Sequence, residues 1–95
     1  MKQKALGFIE TLGLVPALAA TDRMLKVADV ELISYENIGS TLVTIVISGD
    51  VSAVKEAVEA GKEAARSVGT LTAYNVMARP IGEVADIVSI YDVEA

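Results

Sequence analysis

Two strand-like runs, Val30–Glu36 and Thr41–Ser48, are joined by Asn37-Ile38-Gly39-Ser40. They are close enough to pair as an antiparallel hairpin, and this constrains the fold more than anything else in the chain. Gly39 supplies a backbone geometry that a side-chain-bearing residue resists. It also removes side-chain bulk, so backbone N–H groups can meet whatever approaches. Thr41–Ser48 is the clearest strand: it is rich in β-branched residues and apolar on both faces. Taken alone, these residues describe a hairpin turn and nothing more.

The remaining elements arrange themselves around that hairpin. Lys4–Thr11 reads as a first strand, with Ala5, Gly7 and Ile9 on one face and Leu6 and Phe8 on the other. Gly13 breaks it. Leu14–Ala28 reads as a helix, with Pro16 tolerated in its first turn. Its expected buried stripe is Leu14, Ala17, Leu18, Thr21, Met24, Leu25 and Ala28, with Asp22 and Lys26 paired four apart elsewhere. In the second strand Glu31, Ile33 and Tyr35 share a side. Asp50 is the expected N-cap of a second helix, Val51–Ser67. Val51, Val54, Ala57, Val58, Gly61, Ala65 and Val68 form its buried stripe, and Lys55, Glu56, Glu59, Lys62, Glu63 and Arg66 its solvated side. Gly61 in mid-helix costs about 1 kcal/mol against alanine, which predicts close packing on a neighbouring element. Gly69 ends the helix. Thr70–Ala78 is a fourth strand, terminated by Arg79-Pro80, and Ile81–Ala95 holds a short amphipathic piece.

The predicted fold is therefore α+β: one domain over residues 1–95 with the ferredoxin-like order β-α-β-β-α-β, an antiparallel sheet and an added C-terminal helix. Two helices cover one sheet face, while the strands are apolar on both. The surplus predicts an oligomer.

Composition narrows the function. Of 95 residues, 53% are hydrophobic, yet no apolar run is long enough to span a bilayer, and no cleavable leader pattern opens the chain. No membrane role is expected. A net charge of −5 disfavours nucleic acid as a partner. The chain has no histidine and no cysteine, which removes the Ser-His-Asp triad, the imidazole base, the usual zinc ligand sets and disulfides. Asp22, Asp50, Asp86 and Asp92 are scattered, and Gly7 and Gly13 fit no nucleotide-binding glycine motif. No catalytic residue, metal site or cofactor is expected.

Several segments together carry a resemblance. Ala5-Leu6-Gly7-Phe8-Ile9-Glu10-Thr11 with Gly13-Leu14, Asp22-x-Met24-x-Lys26, Tyr35-Glu36-Asn37-Ile38-Gly39-Ser40, Gly49-Asp50-Val51-x-Ala53-Val54 and Ala78-Arg79-Pro80 run in order from about position 4 to position 80. Together they resemble the motifs of hexamer-forming bacterial microcompartment shell proteins. The resemblance implies flat homo-hexamers in the bacterial cytoplasm. These tile with neighbouring hexamers and other shell proteins around encapsulated enzymes, and small polar metabolites cross a central pore. It implies that Asn37, Ile38, Gly39 and Ser40 line that pore. It also implies that Lys26 and Arg79 lie at the hexamer–hexamer edge.

Four departures bear on what crosses. Asn37 replaces a lysine common in the family, Arg23 an alanine, Ile81 a histidine and Thr41 a glycine. A different reading of the same strand order is an oligomeric metabolite-sensing regulatory module holding its effector in glycine loops. A third, a small ferredoxin-like enzyme, needs a cleft of convergent carboxylates or lysines that the residues do not assemble.

Overall fold

The structure is a computed structural model describing residues 4–38 and 41–78. Its elements are β1 (Ala5–Leu12), α1 (Leu14–Val27), β2 (Glu31–Ile38), β3 (Leu42–Gly49), α2 (Val51–Val68) and β4 (Thr70–Met77). Among the described residues the strands form one antiparallel sheet in the order β2-β3-β1-β4, with β2 and β4 outermost. This is the expected ferredoxin-like α+β arrangement. The terminal piece expected at Ile81–Ala95 lies outside the described residues.

The pairing of β2 with β3 runs further than expected. Asn37 and Ile38 belong to the β2 ladder, opposite Val43 and Leu42. Both edge strands carry an extra residue. Ile33 is unpaired between Leu32 and Ser34, and Thr72 is skipped between the Thr11–Leu71 and Glu10–Ala73 pairs. The bulge at Ile33 breaks strict alternation. Glu31 pairs Ser48 on the face away from the helices and Tyr35 pairs Ile45 on the helix side, so the two do not share a face. At the second bulge the Thr72 hydroxyl donates to the Glu10 carbonyl at 3.0 Å and to its carboxylate at 2.8 Å.

Both helices pack on one sheet face. Ala5, Ile9 and Thr11 of β1 and Val43, Ile45 and Ile47 of β3 are buried beneath them. The Thr11 hydroxyl meets the demand for a partner in that apolar layer by donating to the Gly13 carbonyl at 3.0 Å. α2 buries Val54, Ala57, Val58, Gly61 and Ala65, as its periodicity predicts, while the end residues Val51 and Val68 are exposed. Glycine on both surfaces permits close approach. A Cβ on Gly7 would lie 2.7 Å from Val58 and 2.8 Å from Val54; one on Gly61 would lie 2.7 Å from both Ile9 and Met24. Gly69 also gives room, here to Pro16 at 2.7 Å, and its backbone is extended, so it does not end α2 by a left-handed turn.

The stripe expected for α1 is rotated in the structure. Pro16, Ala17, Ala20 and Met24 are buried, whereas Leu14, Leu18 and Leu25 are exposed together with Val15. Two surfaces compete for this helix, the sheet and α2. The small residues win the tight side because α2 comes close at Gly61 and Gly69. The larger leucines are left on the outer flank. The second sheet face is not simply bare: Leu6, Ser34, Val46 and Ser48 are buried there and Phe8 is half-buried. Leu12 and Leu42 are exposed at the hairpin end of that same face, and the other exposed large apolar side chains lie on α1, at Leu32 of β2, at Tyr74 of β4 and at the ends of α2.

Candidate functional site

β1 runs away from Lys4, α1 returns antiparallel to it, and the β2–β3 hairpin turns beside the far end of β1. The register shows this directly: Leu12 pairs Leu42, which in turn pairs Ile38. The Gly13 N–H donates to the Thr41 carbonyl at 2.7 Å, tying the hairpin to the turn that starts α1. Gly13 has φ +90°, a left-handed geometry that glycine reaches without strain. One end of the subunit therefore gathers the hairpin, the end of β1 and the start of α1.

Asn37 is exposed there and brings no charge, and Glu36 beside it is half-buried. Of Ile38 the backbone alone is described. Gly39 and Ser40 lie outside the described residues. Tyr35 packs against the core, and its hydroxyl is enclosed without a hydrogen-bond partner among the described residues. Burial pushes its phenol above the usual value. An enclosed hydroxyl with no partner is a net cost. Tyr35→Phe is therefore expected to raise the stability of the isolated subunit by about 1 kcal/mol, read as a higher denaturant midpoint with an unchanged slope. A lower midpoint would mean that the hydroxyl gains a partner in the assembly.

The opposite end holds the second set of candidate residues. Lys26 stands in the last turn of α1, its side chain 72% exposed, 3.1 Å from the Asp22 carboxylate. An exposed pair of this kind holds its partners weakly, so the ammonium can be recruited elsewhere. Met77, near the end of β4, pairs Leu6 at this same end. Arg79 itself lies outside the described residues. Gly49 approaches Asp29 here as well, at 3.1 Å from an added Cβ to the Asp29 carbonyl. The eight-residue strand β1 separates the two ends by about 25 Å.

Asp50 occupies the N-cap position of α2, and its carbonyl accepts the Val54 N–H at 2.9 Å. Its carboxylate makes no capping bond; the position is as expected, the side-chain contact is not. Lys62, expected on the solvated face, is instead largely covered. Its ammonium lies 3.9 Å from the centre of the Tyr74 ring and 3.3 Å from the Glu59 carboxylate, with the side chain 11% exposed. The periodicity of α2 could not reveal this, because Tyr74 reaches Lys62 only through sheet pairing. Tyr74 pairs Ile9, and Ile9 underlies Gly61. Among the described residues no three acidic side chains converge as a metal site, and no helix is long and apolar enough to cross a membrane.

The β2–β3 hairpin and Lys26 thus stand at opposite ends of β1. The comparisons decide the family: the BMC domain matches residues 5–80. The chain belongs to the BMC-domain family. It is 52% identical over 87 residues to the microcompartment shell protein PduA of Citrobacter freundii, covering 92% of this chain and 94% of that one. It is 46% identical over 87 residues to the carboxysome shell protein CsoS1C of Hydrogenovibrio crunogenus, covering 90% and 85%. It is 43% identical over 84 residues to the shell protein EutM of Salmonella typhimurium, covering 88% of each. A crystal structure of a microcompartments protein from Desulfitobacterium hafniense superimposes with a TM-score of 0.80 at 26% identity. That match covers 94% of this chain and 48% of the other, so this BMC-domain chain spans about half its length. The BMC-domain relatives are microcompartment shell components, and none of these matches points to a metabolite-sensing module.

Proposed function

We propose that this BMC-domain shell protein works as a flat hexamer in the bacterial cytoplasm and tiles edge to edge into the wall of a microcompartment. The hairpin residues Asn37, Ile38, Gly39 and Ser40 ring a central pore. Lys26 and Arg79 stand at the outer rim, where neighbouring hexamers and other shell proteins meet it. The enclosed enzymes carry out the chemistry; this chain has no catalytic role of its own. The observation that carries this reading is the separation of the hairpin and Lys26 to opposite ends of β1. A ring with the hairpins at its centre puts every Lys26 at its circumference.

Whatever the hairpin presents is then presented by every subunit. Backbone N–H groups and a serine hydroxyl replace part of a solute's hydration shell without holding it tightly, which suits passage. Asn37 in place of a lysine leaves the mouth without a positive ring, and Glu36 adds negative potential nearby. The pore therefore passes small polar metabolites with less preference for anions than lysine-bearing relatives have. The check is flux of a small polar solute and of a small anion into reconstituted shells. Gly39→Leu is expected to cut both fluxes severalfold with assembly intact, and Asn37→Lys to raise anion flux alone. Shells of Gly39→Leu as permeable as the wild type would sink the pore assignment.

A further inference from the structure

The hairpin end of the subunit carries more than a turn. Leu12 and Leu42 are directly paired there across β1 and β3, and Leu42 is paired in turn with Ile38. Leu12 and Leu42 share the sheet face away from the helices and are 48% and 36% exposed. Single exposed leucines are ordinary. Two in register, immediately behind a hairpin, make one apolar patch, because directly opposed residues hold their Cβ atoms about 5 Å apart. The patch ends on the side away from the hairpin, where Leu12 meets exposed Thr70 of β4.

The next row back on the same face has the opposite character. It runs Glu36, Thr44 and Glu10, with Ala73 beyond. Both glutamates are half-buried. The Glu10 carboxylate accepts from the Thr72 hydroxyl at 2.8 Å, which holds it toward β4. Among the described residues neither row contains a lysine or an arginine. From the Lys26 end toward the hairpin, this face therefore passes from carboxylates to leucines and then to the turn itself.

We infer that the Leu12–Leu42 pair, repeated around the ring, forms an apolar collar at the sheet-side mouth of the pore, and that the collar selects short uncharged solutes carrying an alkyl part. This inference rests on the pore reading above and assigns the chemical class that the pore takes. The selection follows from solvation. An ion entering between leucines loses water that no side chain there replaces. An alkyl group loses water at a gain: each CH2 fully removed from water shifts its distribution roughly fourfold. The backbone N–H groups and the Ser40 hydroxyl of the hairpin then receive the solute's polar end. The acidic row behind the collar repels anions from the approach, and its attraction for cations stops at the leucines.

Flux into reconstituted shells tests this with probes that vary one property at a time. Acetamide, acetate and methylammonium are close in size and differ in charge. Acetamide is expected to enter severalfold faster than either ion at neutral pH. Methylammonium entering faster than acetamide would show that the carboxylates govern entry, and either ion ahead of acetamide overturns the collar. Methanol and 1-butanol differ in alkyl length alone. In wild-type shells 1-butanol is expected to enter no more slowly than methanol in spite of its size; a flux that falls with chain length overturns the collar. Leu12→Thr/Leu42→Thr keeps strand-forming residues at both positions. It is expected to lower the butanol-to-methanol flux ratio by about fourfold or more and to raise acetate flux, with sedimentation as a hexamer unchanged. A ratio unaffected by the double variant overturns the collar as well. The wild-type comparisons decide the matter even where the double variant fails to assemble. Gly39→Leu shells as permeable to every probe as the wild type overturn the pore reading itself, whereas Gly39→Leu shells closed to them, with the ratio unmoved by Leu12→Thr/Leu42→Thr, overturn the collar alone.

Discussion

Lys26→Asp is expected to leave folded hexamers in solution and to abolish their growth into sheets, as seen by electron microscopy of concentrated protein. The local cost of the change is small. Lys26 is exposed, lies outside the buried side of α1, and loses only the Asp22 pair. A cation in the last turn of a helix is worth about 0.3–1 kcal/mol. Repulsion between Asp22 and the introduced carboxylate one turn on adds roughly a few tenths of a kcal/mol. Neither threatens a core built on Ile9, Met24, Ile45 and Ile47. At the proposed rim the effect is of another order. A lysine stem packs along a neighbouring surface while its ammonium donates to a carbonyl. An aspartate can donate nothing, and across a two-fold between hexamers it faces its own copy. The cost recurs at every edge of every hexamer. Extended sheets formed by Lys26→Asp would show that Lys26 is not at the edge.

The second large effect is on the fold. Gly61→Leu is expected to destabilise the subunit by about 3 kcal/mol, from overpacking in a well-filled core, whereas Gly61→Ala changes stability by less than about 1 kcal/mol. The difference follows from what surrounds the position. An added Cβ meets the Ile9 Cδ1 and Met24 Cγ atoms at 2.7 Å. A methyl group can be accommodated by small shifts of those two flexible side chains, and alanine regains about 1 kcal/mol of helix propensity. A leucine has no such route, since α1 and β1 lie directly behind. Denaturant unfolding of both variants separates the cases, and a leucine tolerated as well as alanine would mean that the α1–α2 contact is looser than its geometry.

Much of this architecture was legible along the chain. Strand and helix positions came within a residue or two, because β-branched alternation, Pro16, Gly13 and the Asp50 cap position are local signals. The buried side of α2 was legible because a single stripe of Val54, Ala57, Val58, Gly61 and Ala65 opposes a charged one. The need for close packing at Gly61 followed from the helix propensity it sacrifices. The family was legible because its motifs recur at matching spacing from β1 to the end of β4.

What the chain could not reveal depends on which element lies beside which. For α1 the two possible buried flanks are both apolar, and periodicity cannot rank them. Only the approach of α2 at Gly61 and Gly69 sets Ala17 and Ala20 inside and Leu14 and Leu18 outside. The one-residue bulge at Ile33 separates Glu31 from Tyr35, and it is a property of pairing with β3, not of β2 alone. Lys62 reads as a solvated charge until β4 brings Tyr74 beneath it. The placement of the hairpin and Lys26 at opposite ends exists only once α1 folds back along β1. Local signals are short-ranged contributions that each residue makes with its chain neighbours, and they determine the elements. Orientation, partner and distance arise from contacts between residues far apart in sequence, and only tertiary packing decides them.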